Sequence, residues 1–220
     1  GDGSQYLATA FEDSVSLGGD NFTSDGAKDI ALVKLDASGA HDWSIQLGGP
    51  TGEQLEAVTV AGPNVCITGG FSDTVDWGDG DETTTGADDI FIACYDRGDG
   101  SHVWSETYGS ADPDAGRDIV AGPGDSVIVT GAYSGPVDFG GGERTPAAVL
   151  DVFVVALSAS DGSYLWDKVW GGGGGNIGFG SAVGPSNELV VTGELANPLD
   201  FGGGVVEVLG ATDVFLVKLD

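Results

Sequence analysis

Apolar and polar positions along this chain fall into short runs, and the runs recur. Asp29-Ile-Ala-Leu-Val-Lys-Leu-Asp36, Asp89-Ile-Phe-Ile-Ala-Cys-Tyr-Asp96, Asp151-Val-Phe-Val-Val-Ala-Leu-Ser158 and Asp213-Val-Phe-Leu-Val-Lys-Leu-Asp220 begin 60, 62 and 62 positions apart. A second run precedes each: Tyr6-Leu-Ala-Thr-Ala-Phe11, Cys66-Ile-Thr-Gly-Gly-Phe71, Ile128-Val-Thr-Gly-Ala-Tyr133 and Val190-Val-Thr-Gly-Glu-Leu195. A third follows three of them and holds Trp43, Trp104 and Trp166. A fourth contains Leu55-Glu-Ala-Val-Thr-Val-Ala61, Arg117-Asp-Ile-Val-Ala121 and Gly180-Ser-Ala-Val-Gly184. The runs are five to eight residues long, rich in Val, Ile, Phe and Thr, and bounded by turn residues, so they predict strands. No window carries the 3.6-residue period of a helix.

Four short strands recurring every ~62 residues are the signature of a β-propeller blade. A stack of sandwiches is the rival, but its strands do not normally recur as near-copies of one four-strand unit. The expected fold is therefore all-β: one propeller region over 1–220, in repeats of about 1–53, 54–115, 116–177 and 178–220.

The order Asp-[Ile/Val]-Phe-[Leu/Val]-Val-Lys-Leu-Asp, Ala-Ser-Gly, Trp, Gly-Gly, Val-Thr-Gly resembles the bacterial SBBP-type β-propeller repeat. Val137-Asp138-Phe139-Gly-Gly-Gly142 and Leu199-Asp200-Phe201-Gly-Gly-Gly204 are similar to its long-repeat variety in large secreted or surface proteins. The resemblance spans essentially the whole chain. It implies a secreted or cell-surface binding or scaffold module rather than an enzyme. It also orders the strands outward from the ring axis. Strand A is 54–61, 116–122 and 179–184; strand B is 5–11, 64–71, 127–133 and 188–195. Strand C is 29–36, 89–96, 151–158 and 213–220; strand D is 41–47, 102–108 and 163–170. The first blade then lacks strand A and the last lacks strand D. Tight A–B and C–D turns leave the 17-residue B–C connections (12–28, 72–88, 134–150 and 196–212) and the D–A connections on one face, where binding surfaces usually sit.

Composition supports many strands joined by tight turns. Glycine accounts for 40 of 220 residues, too many for a mainly helical chain. With 35 acidic residues, 7 basic ones and a net charge of -28, nucleic acid and anionic membrane surfaces are excluded as partners. No 18-residue apolar span predicts membrane insertion. The chain contains no methionine and reads as a segment of a longer precursor.

The candidate chemistry is thin. Asp29, Asp89, Asp151 and Asp213 recur once per repeat, and their expected role is structural: each carboxylate accepts backbone N–H groups of the turn before its strand. Trp43, Trp104 and Trp166 are expected to pack between outer strands. Trp77 replaces Phe139 and Phe201 in a long connection and is expected to be partly exposed. With Asp79 and Asp81 it forms the candidate ligand-binding set. Asp112, Asp114 and Asp118 form the candidate metal set, for a hard cation such as Ca²⁺ that takes six to eight oxygens. The plainer reading of both sets is a solvated acidic surface, since neither matches an EF-hand loop. His41 and His102 occupy equivalent surface positions, so no histidine triad or zinc cluster is expected. No serine lies in a nucleophile elbow, and Gly171–Gly175 lacks the lysine of a phosphate loop.

Three function classes remain. The first is a non-enzymatic module that binds a protein or glycan partner or builds a structure. The second is a lectin-like or Ca²⁺-dependent binder, and the third a carboxylate hydrolase or lyase in the central funnel. If Phe71 pairs with Asp89, Cys66 and Cys94 fall opposite one another, and a disulfide would close a loop of about 29 residues; two buried thiols are the alternative. Counting strands leaves a closed four-bladed ring or an arc of a larger one. The apolar edge at Val214-Phe-Leu-Val217 favours the arc, with further blades of the same or another chain covering the exposed edges.

Overall fold

Each recurring run forms a strand, and each repeat forms one antiparallel sheet with a small hairpin attached. The computed structural model describes residues 2–219, so Gly1 of the first expected repeat and Asp220 at the end of the 213–220 run lie outside the described residues. The first repeat contains β1 (Gln5–Phe11), β2 (Ser14–Ser16), β3 (Asn21–Thr23), β4 (Asp29–Leu35) and β5 (His41–Leu47). The second contains β6 (Gln54–Ala61), β7 (Asn64–Phe71), β8 (Thr74–Asp76), β9 (Asp81–Thr83), β10 (Asp89–Asp96) and β11 (His102–Tyr108). The third contains β12 (Ala115–Gly122), β13 (Ser126–Tyr133), β14 (Val137–Asp138), β15 (Glu143–Arg144), β16 (Asp151–Ser158) and β17 (Tyr164–Trp170). The fourth contains β18 (Asn176–Val183), β19 (Leu189–Leu195), β20 (Leu199–Asp200), β21 (Val205–Val206) and β22 (Asp213–Leu219).

The described chain is all-β. Its main sheets have the orders β1-β4-β5, β6-β7-β10-β11, β12-β13-β16-β17 and β18-β19-β22. Each 17-residue connection, read from the sequence as a loop, holds a hairpin: β2-β3, β8-β9, β14-β15 or β20-β21. The tips of the last three are built alike. One oxygen of Asp76, Asp138 or Asp200 accepts the N–H groups of the glycines two and four residues on. Those glycines have positive φ, from 98° at Gly142 to 130° at Gly80, where a side chain would strain the turn.

Burial follows from stacking. Because successive side chains of a strand point to opposite faces, one face of a sheet can pack on the sheet before it and the other on the sheet after. Ile30, Leu32 and Leu47 share a core with Ile67, Phe91 and Tyr95 of the second sheet. Ile90, Ile92 and Cys94 on that sheet's other face share a core with Val129, Phe153 and Val155 of the third. Val152, Val154 and Ala156 then pack with Leu189, Val191 and Phe215 of the fourth. Strands β10 and β16 are accordingly buried on both faces, whereas β22 is buried on one.

The sheets also meet along one side. Strand β12 lies against β6 on one flank and β18 on the other. In each of these three strands the ladder skips one residue, Glu56, Arg117 and Phe179 respectively. Such a bulge re-aims a side chain, and Arg117 forms an ion pair with Glu56 of the neighbouring sheet. Asp118 accepts the Ser181 hydroxyl at 2.7 Å and its backbone N–H, tying β12 to β18.

Candidate functional site

The head of β4, β10 and β16 is an aspartate with almost no exposure: Asp29, Asp89 and Asp151. One oxygen of each accepts a backbone N–H four residues earlier, from Asp25 (3.2 Å), Thr85 (2.8 Å) and Ala147 (2.6 Å). Asp213 makes the same contact with Leu209 at 3.5 Å. The other oxygen of Asp29, Asp89 and Asp151 is buried without a partner. Gly48, Gly109 and Gly171 each lie directly over one of these carboxyls, where a Cβ would collide with it.

A second buried position accompanies each of these aspartates; of its three residues the sequence singled out only Asp114, as a metal candidate. The backbone N–H groups of Glu53, Asp114 and Asn176 donate to the carbonyls of Lys28, Asp88 and Leu150, just before the three aspartates. All three side chains are buried. Asp114 is fully engaged: Ser110 donates its N–H (2.7 Å) and hydroxyl (2.9 Å), and Ser134 its N–H (2.7 Å). Asn176 is neutral and accepts from Ala196 N–H. Glu53 receives only the Gly49 N–H at 3.2 Å, and its other oxygen has no partner. Burial, and then the charge of Asp29, push the Glu53 carboxyl up to about 8. Burial also raises Asp89, Asp114 and Asp151 above the usual carboxylate range. The recurrence of Glu53, Asp114 and Asn176 at intervals of 61 and 62 residues was the only sequence signal for this set, and its chemistry differs at each position.

The candidate ligand-binding set does not form a surface site. Trp77 is fully buried: its ring stacks on Phe91 with centroids 4.2 Å apart and meets Phe71 edge-on at 5.6 Å. This corrects the expectation of partial exposure. The hairpin tip folds back over β10, and the Tyr95 hydroxyl donates to the Trp77 carbonyl at 2.9 Å. Phe139 stacks likewise on Phe153, and Phe201 packs on Phe215 with its ring tilted. Asp79 remains exposed at the tip, and Asp81 is exposed in β9 opposite Asp76.

Asp79 does meet two residues that the sequence reading kept apart. It accepts the Ser105 hydroxyl at 3.2 Å and lies 3.9 Å from His102 Nε2, which is itself 3.2 Å from Ser105 Oγ. Serine and carboxylate thus approach the same imidazole nitrogen. A nucleophilic triad needs the carboxylate on the other one, so this cluster orients the histidine without activating the serine. His41 pairs with Ser44 in the same way at 3.0 Å.

The candidate metal set also disperses. Asp112 is exposed, Asp114 is buried and saturated by serines, and Asp118 turns toward Ser181 of the fourth sheet. Among the described residues no group of three or more His, Cys, Asp or Glu side chains is placed to hold a metal ion. The tryptophans span sheet to sheet: Trp104 Nε1 donates to the Ala159 carbonyl (3.0 Å) and Trp43 Nε1 to that of Arg97 (3.4 Å), while Trp166 packs in the core between the third and fourth sheets. Cys94 lies directly opposite Cys66, and the two are joined by a disulfide.

An open, mainly apolar cleft of about 460 Å³ lies between Pro113, Ala148, Val149 and Leu150, rimmed by Asp112 and Ser134. Beside it a smaller cavity of about 140 Å³ reaches Gln54, Asp88, Asp114 and Arg117. Neither brings together a nucleophile, a base and an oxyanion donor. No family model matches this chain, and no curated protein sequence matches it.

Proposed function

We propose that this chain is a non-enzymatic β-propeller module, of the kind its SBBP-like repeats imply, acting outside the cell or at its surface in structural assembly or partner binding. The reading rests on one observation. Four repeat sheets stack through alternate faces, with β12 lying against both β6 and β18. Such stacking supports a reading as successive blades, and blades of four strands in rings of about 4–8 are the general pattern. The strongly acidic surface suits a protein that meets cations and cationic partners rather than nucleic acid or membrane.

The test is a glycan array and a panel of esterase, glycosidase and lyase substrates, each with and without EDTA. No turnover and no EDTA-sensitive glycan signal are expected. A glycan signal removed by EDTA would replace this function with a Ca²⁺-dependent lectin. Turnover would replace it with a carboxylate hydrolase or lyase.

A further inference from the structure

The residues that line the cleft beside Pro113 depart from the repeat pattern. Just before the aspartates that head β4, β10 and β22, the chain reads Gly26-Ala-Lys28, Gly86-Ala-Asp88 and Gly210-Ala-Thr212. Before Asp151 it reads Ala148-Val-Leu150. Pro113 likewise stands where Gly52 and Gly175 precede Glu53 and Asn176. The fold does not require these apolar side chains, because the same strand heads form elsewhere with glycine, alanine and a polar residue. Leu150 keeps a backbone bridge to Gly175, as Lys28 does to Gly52. Yet Val149 is 71% exposed, and Ala148 and Leu150 are only half-buried. A lone exposed apolar residue is ordinary on a protein surface. Here four apolar departures from the pattern gather around one concavity.

The polar groups of this concavity are mainly acidic. Asp112 at the rim is exposed, and among the described residues its carboxylate has no hydrogen bond or ion pair. The smaller cavity shares Pro113 and Leu150 with the cleft. It is lined by Asp88, one oxygen of which accepts the Gln54 side-chain amide at 3.2 Å. Among the described residues Arg117 is the one cation lining either cavity, and it already pairs with Glu56. Its Nε is buried without a partner, but an anion bound there would lie among Asp88, Asp112 and Asp114. The cleft's volume of about 460 Å³ falls within the ~300–1,000 Å³ of small-molecule sites, which are mostly apolar with a few polar groups that fix the ligand.

We propose that this cleft binds a small organic cation, an ammonium group carried on a compact apolar body. The body lies against Pro113, Val149 and Leu150, and the ammonium is held by the charge of Asp112 and Asp88. The net charge of -28 raises the local concentration of such cations, and the apolar walls strengthen the attraction by excluding water. The site goes beyond assembly or partner binding and does not depend on it.

Titration of the 220-residue chain with phenylpropylammonium, followed by calorimetry and by amide nuclear magnetic resonance, provides the test. Saturable one-to-one binding is expected, with a dissociation constant below about 1 mM. The amide resonances of Ser134, Val149 and Leu150 should shift together. Phenylpropanol, which lacks the charge, should bind at least about threefold more weakly, and so should the cation to Asp112→Asn. Phenylpropanoate should bind more weakly still, and methylammonium, which lacks the apolar body, should leave these resonances in place. Val149→Ala with Leu150→Thr should weaken binding about tenfold through lost apolar contact. The fold tolerates this pair, since Ala211 and Thr212 occupy the same positions in the fourth repeat. Val149→Ala alone, matching Ala27 and Ala87, is the milder second variant and should cause a smaller loss. Absence of saturable binding overturns the proposal. So does an alcohol or carboxylate that binds as tightly as the cation, a set of shifts that lies elsewhere, or unaltered affinity in the double variant.

Discussion

Asp29 and Glu53 both close on the Gly48–Gly49 segment, both fully buried and each with one carboxyl oxygen lacking a partner. Asp29 also accepts the Gln46 side-chain amide at 2.6 Å, and Lys28 beside it turns its ammonium to Glu12 at 3.7 Å. The Glu53 carboxyl is therefore neutral at pH 7, because ionising it would place a second charge beside Asp29 out of reach of water.

Stability should consequently fall as pH rises. The folded-state value of Glu53, about 8, lies above its ordinary 4.5. The folded form holds a proton that the unfolded form releases. Its contribution is fully present below about 4.5, declines through the interval and is gone above about 8. Glu53→Gln keeps the shape and removes the proton, and Asn176 shows that an amide is accommodated at the equivalent position. Thermal melts from pH 5 to 9 should show a falling melting temperature in the wild type and a clearly flatter profile in Glu53→Gln. Equal slopes would refute the assignment. Asp89, Asp114, Asp151 and Glu106, which burial shifts in the same direction, contribute to any slope left in the variant.

The glycine over each buried aspartate makes a paired prediction. Gly171→Ala would drive a methyl group into the Asp151 carboxyl, an overpacking that typically costs about 1–3 kcal/mol. Combining it with Asp151→Ala should recover part of that loss, because the clash disappears with the carboxyl. Urea denaturation of the two single variants and the double measures the coupling. Strictly additive effects would mean that the two residues do not touch.

Trp77 is a core residue, and its substitution reads as one. Trp77→Ala should destabilise by about 3–5 kcal/mol. Trp77→Phe should cost far less, since phenylalanine fills the same place at Phe139 and Phe201 and lacks the indole N–H, which is buried here without a partner. Chemical denaturation monitored at the far-ultraviolet strand signal decides it. A change below about 0.5 kcal/mol for Trp77→Ala would fit an exposed side chain instead.

The disulfide between Cys66 and Cys94 spans 28 positions. Unreduced, denatured protein should contain no titratable thiol, and reduction should lower stability by about 3–4 kcal/mol on the chain-entropy account. Two thiols per chain would contradict it.

Charge makes the last prediction. With -28 on a chain of 220 residues, self-repulsion opposes the compact form. Melting temperature should climb from low to moderate ionic strength as screening shortens the reach of that repulsion. A flat profile would show that the acidic residues are too dispersed to matter.

Much of the fold could be read from local pattern. Strands at 64–71, 89–96 and 151–158 are short apolar runs between turn residues, and the structure has strands at Asn64–Phe71, Asp89–Asp96 and Asp151–Ser158. The hairpins escaped notice because β14, β15, β20 and β21 are two residues each, too short to show alternation. Their marker was the Asp-x-Gly-x-Gly spacing, which only makes sense once the aspartate is seen to hold two glycine N–H groups.

By itself the sequence determined the all-β class, the recurrence of the runs and the approximate place of the main strands, while the pairing of Phe71 with Asp89 was a supposition that the structure meets. The strands depend on neighbours within about 20 residues, where periodicity and turn chemistry act. Tertiary structure alone decided what each face meets. It buried Trp77, turned Asp118 toward Ser181 rather than Asp112, joined Asp79 to His102 and set Glu53 beside Asp29. It also left Val214 and Leu216 bare while burying their equivalents. The physical reason is that a strand's pattern specifies which side chains share a face, whereas the environment of that face is supplied by another sheet, some 60 residues away along the chain.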